Sequence, residues 1–157
     1  MAFQQDTLLF DIPLQTDLLR VLPYEKEAIA VDAACSGNPG KMEYRGVNLA
    51  TGQEVFHVAY PLATNNIGEF LAIVHALVYL AKCQSPSVPV YTDSQTALAW
   101  VRKRQAATTL VYTADTEQVH RHLLGATAWL REHTYTNPIL KWQTDKWGEI
   151  PADFGRK

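Results

Sequence analysis

The chain has 157 residues, of which 47% are apolar and 19% charged, and this balance favours one globular domain over a disordered chain. Nucleic-acid binders are often basic, so the net charge of −2 counts mildly against such a partner, although Arg102, Lys103 and Arg104 form one basic cluster. The apolar stretches are too short to span a bilayer and residues 1–9 lack the basic start of a signal peptide, so we expect a cytoplasmic protein with reduced cysteines and no membrane partner.

The first half of the chain predicts three strands. Residues 28–34 form a mostly apolar run, which is typical of a buried strand. Residues 36–40 are rich in turn-forming types. Residues 44–49 and 54–60 predict two more strands, joined by a glycine-containing turn. These three strands are therefore expected to form an antiparallel meander.

The second half alternates helices and strands. The predicted elements are a largely buried helix over 66–82, a strand over 88–92, a helix from Asp93 or Ser94 to about 104, a helix from 115 or 116 to about 132, a strand over 139–142, and a final short helix opened by Pro151. The order β-β-β-α-β-α-α-β-α predicts an α/β fold. Its five-stranded mixed sheet combines the meander with two further strands and carries helices on both faces.

Three acids stand out by their context. Asp32 lies inside the first apolar strand, where a carboxylate is costly unless it is paired or binds a metal. Glu69 lies near the start of the long helix, and Asp93 follows the short fourth strand. Glu69 could simply complement the helix dipole and Asp93 could simply cap a helix, but no local feature explains Asp32.

The three acids could lie at one site in the folded protein. If the first and fourth strands are parallel neighbours, Asp32 and Asp93 point into one crevice at their carboxyl ends, and Glu69 could join them. Clustered carboxylates repel one another and need divalent cations, and Mg²⁺ prefers oxygen ligands. Paired Mg²⁺ ions serve in-line displacement at phosphorus.

Three sequence blocks resemble type 1 ribonuclease H. They are Asp32 with residues 35–40 (CSGNPG), residues 64–69 (TNNIGE) and residues 91–95 (YTDSQ), and both their order and their separations match that family. The resemblance covers residues 28–157 and implies an RNase H-like fold for them. Residues 1–27 form an N-terminal extension of unknown role.

The resemblance implies an endoribonuclease that hydrolyses the RNA strand of RNA–DNA hybrids. It implies two Mg²⁺ ions, with Mn²⁺ as a substitute, and products with 5′-phosphate and 3′-hydroxyl ends. Asp32, Glu69 and Asp93 match the first three catalytic and metal-binding carboxylates of the family. Asp153 matches the fourth, because residues 148–153 (GEIPAD) fit the family pattern, whereas Asp145 does not match. A monomer is the default expectation.

Substrate-binding positions also carry over from the resemblance. Short neutral side chains are suited to reading the 2′-hydroxyl that separates RNA from DNA. The matching positions are Asn38, Asn65, Asn66 and Gln95, for which turn and cap duty is the alternative. Trp100 is expected to pack against a sugar of the DNA strand, and Thr64 or residues 102–104 to contact phosphates. The alternatives are a partly buried tryptophan and a solvated helix end.

The chain departs from the family at two places. None of its histidines lies in the loop before the last helix, where many members carry one, so Glu149 or Asp145 are candidates for that assisting role. Residues 105–120 contain no Lys or Arg, so any basic protrusion is short. Two rival functions follow: a catalytically silent module that binds hybrids, and a related nuclease that acts on DNA.

Overall fold

The first eight elements of secondary structure follow the predicted order. A computed structural model describes residues 24–155. The elements, in chain order, are β1 (Ile29–Gly37), β2 (Gly40–Asn48), β3 (Glu54–Ala63), α1 (Asn65–Lys82), β4 (Val90–Thr92), α2 (Gln95–Lys103), α3 (Glu117–Glu132), β5 (Ile139–Lys141) and α4 (Thr144–Trp147). Within residues 24–155 no helix combines the length and the apolar character that a membrane crossing requires.

The strands form one mixed sheet in the order β3-β2-β1-β4-β5. β1 pairs antiparallel with β2, and β2 pairs antiparallel with β3, as expected for the meander. β4 lies parallel to β1 on one side and to β5 on the other. Parallel neighbours need long crossover connections, which α1 provides before β4 and which α2 and α3 provide before β5. The predicted five-stranded mixed sheet is confirmed.

Helix α1 fills one face of the sheet. Every residue from Ile67 to Leu80 is buried, because α1 lies against β1 and β2 and is itself covered by α2 and α3. A glycine permits the close approach: a Cβ added at Gly68 would lie 2.8 Å from the Cβ of Ala33 and 2.7 Å from the sulfur of Met42. This contact fixes the helix against the sheet one residue before Glu69.

The second face of the sheet is covered mainly by the C-terminal region. Its buried core consists of Ala28, Ala30, Val47, Tyr91, Trp142, Ile150 and Ala152. The ring of Tyr24 packs beside it, 4.6 Å from Trp142 and 5.3 Å from Trp147 between ring centroids. Trp147 belongs to α4, so helices lie on both faces as predicted, although among residues 24–155 the second face receives only this one-turn helix.

The predicted helix opened by Pro151 is wrong. The last helix in the part of the chain that the structure describes, α4, ends at Trp147, and Gly148 follows it with a φ of 82°. Residues 151–152 form a single turn, closed by a hydrogen bond from the Asp153 amide to the Ile150 carbonyl. A helix would use the next carbonyls for its own hydrogen bonds, but those of Ala152 and Asp153 accept from the Arg45 side chain.

Part of the predicted N-terminal extension lies outside the described residues. Residues 1–23 belong to that part. The remainder, from Tyr24, joins the second face of the sheet, where the Glu25 amide donates a hydrogen bond to the Tyr91 hydroxyl at 3.0 Å.

Candidate metal centre and nucleic-acid site

Three carboxylates from three different elements meet at one end of the sheet. Asp32 lies in β1, Glu69 one turn into α1, and Asp93 directly after β4. Because Ala30 pairs with Tyr91, continuing the register by two residues places Asp32 beside Asp93. One oxygen of each carboxylate lies within 4.8 Å of those of the other two. The structure therefore brings together the first three acids that the sequence singled out.

Side chains other than the three acids cap helices α1 and α2. The Ser94 hydroxyl accepts a hydrogen bond from the Ala97 amide at 3.0 Å and so caps α2 in place of Asp93. The Thr64 hydroxyl caps α1 by accepting from the Ile67 amide at 3.3 Å. Glu69 is only 2% exposed, which is unlike a solvated acid that complements a helix dipole. The purely structural alternatives for Asp93 and Glu69 are therefore weakened.

The electrostatics of this group favour a bound cation. Two carboxylates about 4 Å apart repel each other by about 4 kcal/mol at an effective dielectric constant of about 20. Asp32 is fully buried, so solvent does little to screen its charge. A set of carboxylate oxygens alone matches the preference of Mg²⁺ and Mn²⁺, and these residues fit such ions by their donor chemistry.

The four predicted amide residues lie near the three acids along the chain, and Asn65 reaches one of them. The Asn38 side-chain oxygen accepts a hydrogen bond from the Asn65 amide at 3.0 Å, which ties the β1–β2 turn to the start of α1. The Asn65 side-chain nitrogen lies 3.5 Å from a carboxylate oxygen of Glu69. Asn66 and Gln95 are exposed, and Gln95 follows Asp93 by two residues. The four predicted amides thus lie on segments that also carry, or directly precede or follow, a clustered acid.

The structure supports the predicted contacts to the DNA strand less well than it supports the site of the three acids. Trp100 is 8% exposed and its ring packs 6.0 Å from that of Phe70, so it is a core residue with little surface left for a sugar. The Arg104 guanidinium donates to the Leu130 carbonyl at 3.2 Å and joins α2 to α3. Arg102 and Lys103 remain exposed at the end of α2.

Asp153 lies outside the group of three. Its Oδ2 accepts a hydrogen bond from the Gly155 amide at 2.9 Å, and its assignment as fourth ligand stays a prediction. The neighbouring Phe154 packs under the Arg45 guanidinium, 4.7 Å from atom to ring centroid. Asp145 and Glu149 are exposed.

Arg45 is the residue that the sequence reasoning missed. Its guanidinium binds the carbonyls of Ala152 and Asp153 in the terminal turn. These residues follow Arg45 by 107 and 108 positions in the chain. The sequence could have indicated Arg45 through its strand, which is predicted to pair with the strand of Asp32. If Arg45 lies opposite Asp32 in that pairing, both side chains project from the same face of the sheet.

Comparison with known proteins gives consistent matches. A sequence profile described as RNase H matches residues 24–145, a range that ends before Asp153. Three similar solved structures can be named. The N-terminal RNase H domain of a Mycobacterium tuberculosis protein is 16% identical, with a TM-score of 0.42 over 74% of this chain and 86% of that one. RNase H1 of the halophilic archaeon Halobacterium salinarum is 21% identical, with a TM-score of 0.45 over 76% and 86%.

The third structure is LC11-RNase H1, isolated from compost by a metagenomic approach and solved in complex with an RNA/DNA hybrid. It is 19% identical, with a TM-score of 0.42 over 76% of this chain and 86% of that one. The profile match spans well over half of the 157 residues and includes Asp32, Glu69 and Asp93. The chain belongs to the RNase H family.

Proposed function

We propose that this protein is an endoribonuclease that hydrolyses the RNA strand of RNA–DNA hybrids. The observation that carries the proposal is the meeting of Asp32, Glu69 and Asp93 within 4.8 Å, in a chain of the RNase H family. The hybrid in the LC11-RNase H1 complex supports the same substrate class. The products would carry 5′-phosphate and 3′-hydroxyl ends.

Two divalent ions, Mg²⁺ or Mn²⁺, are the cofactors of this proposal. Asp32, Glu69 and Asp93 would hold them, together with Asp153. Ions held there would supply an activated water nucleophile and would stabilise the charge on the leaving 3′-oxygen. The protein contributes carboxylates that are held on a rigid sheet and a buried helix, so little reorganisation is needed during the reaction.

The neutral rim of the site would select the RNA strand. Asn38, Asn65, Asn66 and Gln95 lie on segments that carry or adjoin the acids, and their amide donors and acceptors would suit contact with the 2′-hydroxyl. Few phosphate contacts are available, since net charge is −2 and the basic cluster is short. Binding should therefore depend only weakly on salt.

The test is cleavage of an end-labelled hybrid with Mg²⁺, run beside single-stranded RNA, duplex RNA and duplex DNA. We expect cutting of the RNA strand of the hybrid alone. Asp32→Asn and Asp93→Asn should abolish it, whereas Glu117→Gln, which removes an exposed charge on α3, should not. Cutting of all four substrates would refute the proposed specificity, and preferred cutting of DNA would favour the related DNA nuclease.

A silent hybrid-binding module is the second candidate. The observation that favours it is the placement of the Asp153 carboxylate outside the group of three, with a hydrogen bond to the Gly155 amide. Retained hybrid binding without cleavage, unchanged by Asp153→Asn, would establish this module. Cleavage that falls sharply in Asp153→Asn, with hybrid binding kept, would exclude it. The monomeric state and the cytoplasmic location stay predictions.

A further inference from the structure

The Arg45 side chain forms a two-pronged contact with the C-terminal turn. Its Nε donates to the Ala152 carbonyl at 2.8 Å and its Nη2 donates to the Asp153 carbonyl at 2.7 Å. Both distances are short for N–H···O hydrogen bonds, as expected when the donor is charged. Two successive carbonyls of the terminal segment are thus held by one planar group.

The position of Arg45 in the sheet places this turn beside the acids. Asp32 and Arg45 are direct partners in the antiparallel pairing of β1 and β2, so both side chains project from the same face. Side chains paired in this way have Cβ atoms only about 5 Å apart. The contact therefore brings the backbone of Asp153 to the face from which Asp32 projects.

Other side chains hold the two ends of the same segment. Before the turn, the Trp142 indole donates to the Gly148 carbonyl at 2.9 Å, and Ile150 is buried. After it, the Phe154 ring lies under the Arg45 guanidinium and 6.2 Å from the His57 ring. Arg45 thus contacts the middle of a segment that other side chains hold on both sides.

We infer that Arg45 is a positioning residue, whose guanidinium holds the terminal turn so that the Asp153 carboxylate can complete the metal site. This inference rests on the proposed function, in which Asp153 is the fourth ligand. Arg45 acts through the backbone of Ala152 and Asp153 and has no part in the chemical step. Residues that orient metal ligands typically change metal affinity by about 10- to 100-fold when mutated.

The contact requires arginine rather than any cation. The fork of the guanidinium matches two acceptors at once, whereas the ammonium of lysine is a compact point charge on a flexible stem. Arg45→Lys keeps the charge near Glu54, which lies 3.5 Å from Nη1, but loses the paired contact. This variant is therefore mild for folding and severe for positioning. Arg121→Lys on α3, where Arg121 pairs with Glu117 at 3.4 Å, is the matched control.

The experiment is a double-mutant cycle between Arg45→Lys and Asp153→Asn. Mn²⁺ affinity is measured by calorimetry, the exchange of the Asp153 and Gly155 amides by hydrogen–deuterium exchange, and kcat and KM on a hybrid. We expect Arg45→Lys to weaken Mn²⁺ binding about tenfold, to speed exchange at both amides and to lower kcat with KM unchanged. Arg121→Lys should change none of these.

The double variant decides how Arg45 acts. Because Arg45 works through Asp153, Arg45→Lys should cause no further loss of Mn²⁺ affinity in the Asp153→Asn background. A full additional loss there would overturn the inference and assign Arg45 to another acid, such as Asp32. Unchanged Mn²⁺ affinity in Arg45→Lys would also overturn it. If the wild type cut no hybrid while its Mn²⁺ affinity depended on Arg45 only through Asp153, the proposed function would fail and the positioning role would stand.

Discussion

Replacing Asp32 by asparagine should stabilise the metal-free protein while it removes activity. Asp32 is fully buried, and its carboxylate lies within 4.8 Å of those of Glu69 and Asp93. Asparagine has nearly the same shape and can still form hydrogen bonds, so the main change is the loss of one negative charge from a crowded group.

The size of the effect follows from the charges. Each repulsive pair amounts to about 4 kcal/mol at about 4 Å and an effective dielectric constant of about 20, which is an upper bound for one contact. Asp93 is partly exposed, so solvent screens its share of the repulsion. We therefore expect a net gain of about 2 kcal/mol, which for a domain of this size raises Tm by about 4–8 °C.

The assay is thermal unfolding of wild type, Asp32→Asn and the charge-matched Glu117→Gln, each with a chelator and then with saturating Mg²⁺. Mg²⁺ should raise the Tm of the wild type and of Glu117→Gln, because a ligand that binds only the native state stabilises it by about 2.7 kcal/mol at one hundred times its Kd. It should raise that of Asp32→Asn much less. A lower Tm for Asp32→Asn in the chelator, with Glu117→Gln unchanged, would refute the reasoning from repulsion and make Asp32 a structural residue.

Three further outcomes are expected. Burial, and then the Arg121 charge, lower the pKa of His122 from 6.5, so the folded state disfavours protonation of this residue. The stability that the neutral His122 allows is complete above about pH 6.5, and it is lost as the pH falls towards the lowered pKa. Urea unfolding across that range should show a weaker pH dependence for His122→Asn. Gly68→Ala places a methyl group 2.8 Å from the Ala33 Cβ and should cost about 1–3 kcal/mol in urea unfolding, with a loss of Mn²⁺ affinity measured by calorimetry. Ser94→Ala should cost about 1 kcal/mol in the same unfolding assay, because it removes the α2 cap.

Much of the fold could be predicted because its signals are local. The apolar run around Asp32 predicts a buried strand, and the long apolar pattern that α1 fills predicts a buried helix, since both depend on the period of the side chains. Turn chemistry placed the breaks between them. The error at Pro151 arose because a residue suited to the first turn of a helix does not make one when the following carbonyls bond elsewhere.

The candidate site also contains features that the sequence could predict and features that it could not. Asp32 could be singled out from its neighbours alone, because a carboxylate inside an apolar strand needs a reason. The burial of Trp100 could not be predicted in this way, since a tryptophan on a helix is equally compatible with the core and with a binding surface. Whether it faces Phe70 or solvent depends on how α2 lies against α1.

The sequence by itself determined the order of the first eight elements, the isolation of Asp32 and the family resemblance of its three blocks, because each of these depends on residues close together in the chain. Only the tertiary structure decided that three carboxylates meet within 4.8 Å, and that Arg45 forms hydrogen bonds with a turn 107 residues away. Both depend on strand register and on which elements become neighbours. Those choices are made by the packing of the whole core, which no short stretch of sequence contains.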